Sequence, residues 1–413
     1  MEIQKNDKCR ICRNDKLEKV LSLGEMPPAN NFLEKDVLES GVEKSYPLEL
    51  YFCKDCGLAQ LIDIVDPEIL FRNYLYTSST QSTLPKHFVD FANGAIKKFK
   101  LNNESLVIDI GSNDGTLLSA FRHMGINVLG IDPALNVSQE AVERGVDTIC
   151  EFFGKETAQR IASIRGKADL IIANNVFAHI NDIHDTVEGM TAIMKDHGVI
   201  SVEVPYVVDM LEQTAYDTIY HEHLSYFSVS SLWNLFKGHG MEIFNVEKIE
   251  THGGSLRLSI GKKDVHPVSQ IVSNFLNLED ERKVNKIETY RIFANNVQKS
   301  KENLSKLIKK LKSEGKKIAG YSAPAKSSTI INYCGMNSGD IIFIADKSPY
   351  KQSKFSPGAH IPITEPDSIM KEKPDYVIIF AWNVADEIIR QLYSYRSTGG
   401  KFIIPGMEPR IVE

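Results

Sequence analysis

The chain has 413 residues, which at about 100 to 200 residues per domain predicts two or three domains. Hydrophobic residues at 42% and charged residues at 25% are ordinary globular proportions and indicate neither a disordered nor a membrane protein. A net charge of −6 and a pI near 6.0 leave no overall basic field, which argues against a nucleic-acid binder.

The opening residues Met-Glu-Ile-Gln-Lys-Asn-Asp lack the apolar core of a signal peptide, and no apolar run is long enough to span a bilayer. A cytoplasmic protein is expected. Four of its six cysteines then stand as two pairs, Cys9-Arg10-Ile11-Cys12 and Cys53-Lys54-Asp55-Cys56. Two thiolates two residues apart grip one face of a tetrahedral ion, and two such turns complete a four-sulfur zinc site with no open position, hence a structural metal. A redox reading would need one such motif at the start of a helix in a βαβ unit, whereas here two lie in a segment that reads as strand-poor. Cys150 and Cys334 read as buried small apolar residues.

From about Asp63 to Lys98 the chain reads as a polar connection. Its run Phe71-Arg72-Asn73-Tyr74-Leu75-Tyr76-Thr77-Ser78-Ser79-Thr80 suits a solvated linker by composition, and would also suit a sugar-binding wall. Regular alternation begins at Leu106. Strands are predicted at Leu106 to Ile110, Asn127 to Ile131, Thr148 to Phe153, Asp169 to Ala173 and Val199 to Val204, with helical patterns between. This predicts a parallel sheet covered on both faces, with ligands at the carboxyl ends of its strands. The turn Asp109-Ile110-Gly111-Ser112-Asn113-Asp114-Gly115 lacks the closely spaced glycines of a dinucleotide cradle. With Asp109 and Asp132 at successive strand ends it fits a nucleoside without phosphates, namely S-adenosylmethionine; an ordinary turn with Asp132 as a helix cap is the other reading.

Tyr220-His221-Glu222-His223-Leu224-Ser225-Tyr226-Phe227-Ser228 concentrates two imidazoles, a carboxylate and two phenols, which marks a place to look for a general base. In a strand Tyr220 and His223 point to opposite faces; a helical turn or irregular loop brings them together, and that is the geometry expected. A helix capped at Ser228 or Ser230 and an antiparallel hairpin, Glu242 to Ile249 with Leu256 to Ile260, follow. Val268 to Ser313 reads as charged helices forming a solvated bridge, with Glu279, Asp280 and Glu281 interspersed among lysines. A second α/β unit is then predicted, with strands at Lys317 to Gly320, Ile341 to Ala345, Tyr376 to Phe380 and Phe402 to Ile404 and a helix at Ser327 to Tyr333. Lys326 and Lys351 either hold phosphate oxygens near a helix start or face solvent.

These residues together resemble the nucleotide-sugar C-methyltransferases that put methyl branches on deoxysugars. The likeness runs through the paired cysteines with Gly24-Glu25-Met26-Pro27-Pro28-Ala29-Asn30-Asn31-Phe32, the Asp109 turn, Ala173-Asn174-Asn175-Val176-Phe177-Ala178-His179, Glu203-Val204-Pro205-Tyr206 and Tyr220 to Ser228. It continues through Thr251-His252-Gly253-Gly254-Ser255-Leu256-Arg257, Gly320-Tyr321-Ser322-Ala323-Pro324-Ala325-Lys326, Asn332-Tyr333-Cys334-Gly335 and Pro357-Gly358-Ala359-His360-Ile361-Pro362-Ile363. Ser327-Ser328 depart from the glycine-like turn expected after Lys326.

The resemblance implies an α/β protein with a zinc-binding lobe over 1–70, a class I methyltransferase domain over 71–265 and a Rossmann-like nucleotide-sugar lobe over 266–413. It implies His223 as base, with Tyr220, Glu222 and His179 beside it and His221 as a structural neighbour. Cofactor contacts would come from Asp109, Gly111, Asn113, Asp132, Pro133, Phe153, Asn174 and Asn175, and substrate contacts from Tyr76, Lys326, Tyr333, Lys351 and His360. Cys9, Cys12, Cys53 and Cys56 would hold Zn2+. The implied reaction deprotonates the carbon beside the ketone of an NDP-4-keto-deoxysugar, C3 before C5, and methylates the enolate. Rival readings are a sugar O-methyltransferase, a nicotinamide oxidoreductase and a non-catalytic zinc-ribbon binder. No nucleic-acid or membrane partner is expected.

Overall fold

The computed structural model describes residues 2–72, 78–80, 84–249 and 253–413. Its largest sheet has seven strands: β1 Leu106–Ile110, β2 Asn127–Ile131, β3 Thr148–Ile149, β4 Ala168–Asn174, β5 Met194–Pro205, β6 Met241–Ile249 and β7 Ser255–Lys262. Central strands with helices on both faces must be apolar on both sides, and every residue of β1 is accordingly buried. The spatial order is β3-β2-β1-β4-β5-β7-β6, parallel except for β7, which pairs antiparallel with both β5 and β6. The order reverses between β1 and β4. Loops leaving these two strands diverge to opposite faces and open a crevice at their carboxyl ends.

A second sheet repeats the device. Its strands lie in the order Ile363–Thr364, Ile344–Ala345, Ile318–Tyr321, Tyr376–Ile379, Lys401–Ile404 and Arg410–Val412, parallel except the last. Its reversal falls between Ile318–Tyr321 and Tyr376–Ile379, and the helix Ala325–Tyr333 starts at that crevice.

The amino-terminal segment is not strand-poor. Leu17–Met26 and Tyr46–Cys53 pair antiparallel, and Ala59–Leu61 joins them. Tyr46, Leu48, Leu50 and Phe52 alternate with half-buried Pro47, Glu49 and Tyr51, a period-two pattern plain in the sequence. The fourth strand of this sheet is Ser225–Tyr226, from the middle of the chain. The polar connection is also corrected: Leu84–Phe99 is a helix, and Ser78 and Ser79 are docked by backbone N–H groups on Asn113 Oδ1 (2.9 Å) and Asp114 Oδ2 (3.0 Å). Tyr76 and the hairpin residues Thr251 and His252 lie outside the described residues. β3 stops at Ile149, because the chain turns there to start the helix Lys155–Arg165.

The charged stretch forms helices Gln270–Glu281 and Ile287–Ser313, the latter about 40 Å long. It is not merely a solvated bridge. Tyr290, Phe293, Val297, Leu304, Ile308 and Leu311 make a buried stripe, and the Tyr290 ring lies 4.7 Å from Phe52. Glu279 is 2% exposed and accepts from the backbone N–H groups of Val229 (2.6 Å) and Ser230 (2.8 Å), at the start of helix Val229–Gly238. Among the described residues no helix is long and apolar enough to cross a membrane. Glu279→Ala strands those donors and is expected to cost about 1–3 kcal/mol in urea unfolding without loss of bound metal; unchanged stability would contradict this capping role.

Candidate active site

At the β1–β4 crevice the backbone leaves β1 through Gly111, at φ 71°, where an added Cβ would stand 2.7 Å from a Val176 methyl. Only glycine fits without strain. Asp132, at the end of β2, is fixed by the N–H groups of Asn113 and Ala134, one on each carboxylate oxygen at 2.9 Å. Burial raises its pKa despite those bonds. Asp109 lies behind the wall, fully buried, its pKa pushed well up by desolvation and by Asp132. Pro133, Phe152 and Phe153 face the crevice with Asn174 and Asn175 from the end of β4. Both side-chain polar atoms of Asn174 are buried and have no partner among the described residues. A fixed acid, apolar rings and waiting amide groups fit S-adenosylmethionine: ribose hydroxyls for the carboxylate, a flat base for the rings, an amino-acid end for the amides.

The same cavity, of about 760 Å³, continues past Thr218, Tyr220, His223 and His179 to the second crevice. The chain between Ile219 and Leu224 is irregular, as expected, and Tyr220 meets His223: Tyr220 Oη lies 2.7 Å from His223 Nε2. His223 Nδ1 lies 2.9 Å from the Thr218 carbonyl. A carbonyl only accepts, so Nδ1 carries the hydrogen and Nε2 keeps its lone pair, towards which Tyr220 donates. The His179 ring stands edge-on to His223 at 5.0 Å, and burial lowers its pKa to about 4, leaving it neutral. Glu222 is 2% exposed and sits one layer back, accepting from Asn30 Nδ2 at 2.7 Å; Asn30 is on the wall. His221 turns away, its Nε2–H donating to the Tyr46 carbonyl at 3.2 Å, and burial lowers its pKa to about 4.

At the far end Lys326 and Lys351 line the cavity. Lys351 Nζ donates to the Ala323 carbonyl at 2.8 Å, and burial lowers its pKa. Asp346 accepts from the N–H groups of Ala323 (2.6 Å) and Ser348 (2.7 Å), which repeats at the second sheet what Asp132 does at the first. Tyr333 and His360 do not reach the cavity. Tyr333 donates to Gln298 at 3.3 Å beneath Lys301, and His360 pairs with Glu43 at 2.7 Å.

Asn30, Thr218, Asp346 and Glu203 were not singled out from the sequence as site residues. Glu203 lines the cavity beside His87. Burial opposes its charge, yet His87 and Arg257 hold its pKa down to about 2. The repeated strand-end acid was a readable signal for Asp346.

In the amino-terminal lobe the four cysteine sulfurs lie within 4.8 Å of one another, with Cys9–Cys56 at 3.4 Å and Cys12–Cys53 at 3.5 Å. Sulfurs at about 2.3 Å around a tetrahedral ion stand roughly 3.8 Å apart, so the cluster fits zinc with all four positions filled.

Sheet order, crevice and four-sulfur cluster define a class I methyltransferase carrying a zinc-binding lobe. Three family descriptions match successive parts of the chain: a zinc binding domain over residues 9–71, a methyltransferase domain over 82–246 and a C-methyltransferase C-terminal domain over 250–406. C-methyltransferase NovU of Streptomyces niveus is 36% identical over 407 residues, 98% of this chain and 97% of that protein. A ubiquinone biosynthesis O-methyltransferase of Rhodopseudomonas palustris (strain BisB5) is 29% identical over 116 residues, 26% of this chain and 46% of its own. The solved magnesium protoporphyrin IX methyltransferase of Synechocystis PCC 6803 covers 43% of this chain and 83% of its own at 14% identity, with a TM-score of only 0.34. The chain belongs to the S-adenosylmethionine-dependent C-methyltransferases.

His179 and His221, each lowered from 6.5 to about 4, make stability pH-dependent. The unfolded chain binds their protons first, so their contribution is complete above pH 6.5 and is lost as pH falls towards 4, on the order of 3 kcal/mol for His221, 1% exposed, and less for His179, which lines the cavity. Urea unfolding across that range should show the fall and His221→Phe should flatten part of it; a flat profile would contradict their burial as neutral rings.

Proposed function

We propose that this C-methyltransferase acts on an NDP-4-keto-deoxysugar, removing the proton from C3 and methylating the resulting enolate, with C5 the second choice. The observation that carries the reading is the Tyr220–His223 pair on the wall of one cavity that joins the crevices of both sheets. One ligand in each crevice then meets its partner beside the imidazole. The proposed division of the chain is the zinc lobe over 1–70, the methyltransferase domain over 71–265 and the nucleotide-sugar lobe over 266–413.

A carbon beside a ketone is acidic enough for a positioned imidazole because the charge delocalises onto oxygen. The proton moves to His223 Nε2, directly or through the Tyr220 hydroxyl. The Thr218 carbonyl fixes the reactive tautomer and steadies the imidazolium. Neutral His179 offers an N–H to the enolate oxygen, and Glu222 holds Asn30 against the sugar. Lys326, Lys351 and the start of the helix Ala325–Tyr333 take the diphosphate, and Asp346 takes the nucleoside sugar. Asp132, Asn174 and Asn175 hold the cofactor. S-adenosylmethionine bound there supplies the electrophilic methyl, and transfer then asks mainly for alignment and exclusion of water.

In deuterated water without methyl donor, the enzyme should exchange the hydrogen beside the ketone, and His223→Gln should slow that exchange by about 10²-fold or more. Exchange at the wild-type rate in His223→Gln would remove His223 as base. A methyl ether formed without exchange would favour the O-methyltransferase reading.

A further inference from the structure

Arg10 stands inside the first zinc knuckle, between Cys9 and Cys12, yet its side chain is 3% exposed and leaves the lobe. Nη1 donates to the Leu224 carbonyl at 3.1 Å and to the Leu61 carbonyl, and Nε donates to Asn181 Oδ1 at 3.2 Å. Its own N–H is held by Gln60 Oε1 at 3.0 Å. Leu224 follows His223, and Asn181 lies two residues beyond His179. Among the described residues no carboxylate pairs with this guanidinium. A buried charge met only by carbonyl and amide oxygens through Nε and Nη1, with Nη2 buried and unpartnered among the described residues, is a poor way to gain stability, because apolar fill of the same volume does as well or better. What the guanidinium does provide is a rigid planar fork whose donors fix two segments at a set separation.

We propose that Arg10 is a positioning residue through which the zinc knuckle fixes the spacing of the His179 and His223 rings. The metal holds the backbone of Cys9 and Cys12, the fork carries that fixed point across the lobe boundary, and the two imidazoles stay edge-on at 5.0 Å. Zinc therefore shapes the active site without touching it. The catalytic consequence rests on the assignment of His223 as base; the structural coupling does not.

The test uses full-length, zinc-loaded Arg10→Met and Arg10→Lys, with ¹⁵N-imidazole NMR of His223 assigned by loss of its signals in His223→Gln. Both variants are expected to keep one zinc per chain and affinity for S-adenosylhomocysteine within about twofold. The His223 nitrogens should shift from the Nδ1–H form towards a tautomer mixture, more in Met than in Lys, and deuterium exchange into the keto sugar should fall by about 10²-fold, the scale of a 1 Å misplacement. Asn181→Leu removes one acceptor without disturbing the knuckle and should produce the same direction of shift, which keeps the test usable if Arg10→Met folds poorly. His223 signals unchanged in Arg10→Lys and Asn181→Leu, or changed only in step with zinc loss, would overturn the proposal. Absence of exchange in the wild type would sink the assignment of the base while leaving the NMR comparison intact.

Discussion

The structure depends on how the backbone at Leu224 is held. Its carbonyl accepts from Leu61 N–H at 3.0 Å, its N–H donates to the Ala178 carbonyl at 2.8 Å, and the next two residues complete the zinc lobe's sheet beside Ala59 and Gln60. Six residues earlier, Thr218 closes the stretch by accepting from His223 Nδ1. The irregular segment carrying His223 is thus pinned at its Leu224 end by main-chain bonds and closed at its Thr218 end by the imidazole itself, a restraint that a loop alone does not supply. The zinc lobe is a template for the stretch that follows His223 as well as an appendage to the chain.

The two large sheets face one cavity by the same rule. Each reverses its strand order next to its first strand, and each presents an acid at the end of its second strand, Asp132 or Asp346, fixed by two backbone amides. Such an acid, lining the cavity, has lone pairs to spare, which under the proposed function suits a nucleoside at either sheet. Setting two such crevices on one cavity suits the proposed reaction between two nucleoside-bearing ligands, in which the His223 imidazole would stand between their reactive ends.

Much of this was legible in the residues. Paired Cys-x-x-Cys, strict alternation of apolar runs and a glycine turn without a phosphate cradle are local signals, and the structure agrees with each. The choice of His223 over His221 came from resemblance, while the three-residue spacing predicted the irregular loop that brings Tyr220 to His223. What was missed is non-local or carried by the main chain. Thr218 acts through a carbonyl, which any residue type supplies. Asn30 matters because Glu222, far along the chain, orients it. Tyr333 and His360 were placed at the substrate by resemblance alone, and Gln298 and Glu43 draw them elsewhere. The strands Leu17–Met26 and Tyr46–Cys53 contradict the strand-poor reading of this segment, although Tyr46–Cys53 carries a period-two pattern in its residues.

The chemistry we propose is carbon methylation of an enolate formed beside a ketone. Turnover of an NDP-4-keto-deoxysugar with S-adenosylmethionine carrying a ¹³C methyl group, followed by carbon NMR of the product, reports on it directly. The labelled methyl carbon is expected to be bonded to the ring carbon next to the carbonyl, with the chemical shift of a C-methyl group. A labelled methoxy group, or a label on a carbon not adjacent to the ketone, would contradict it.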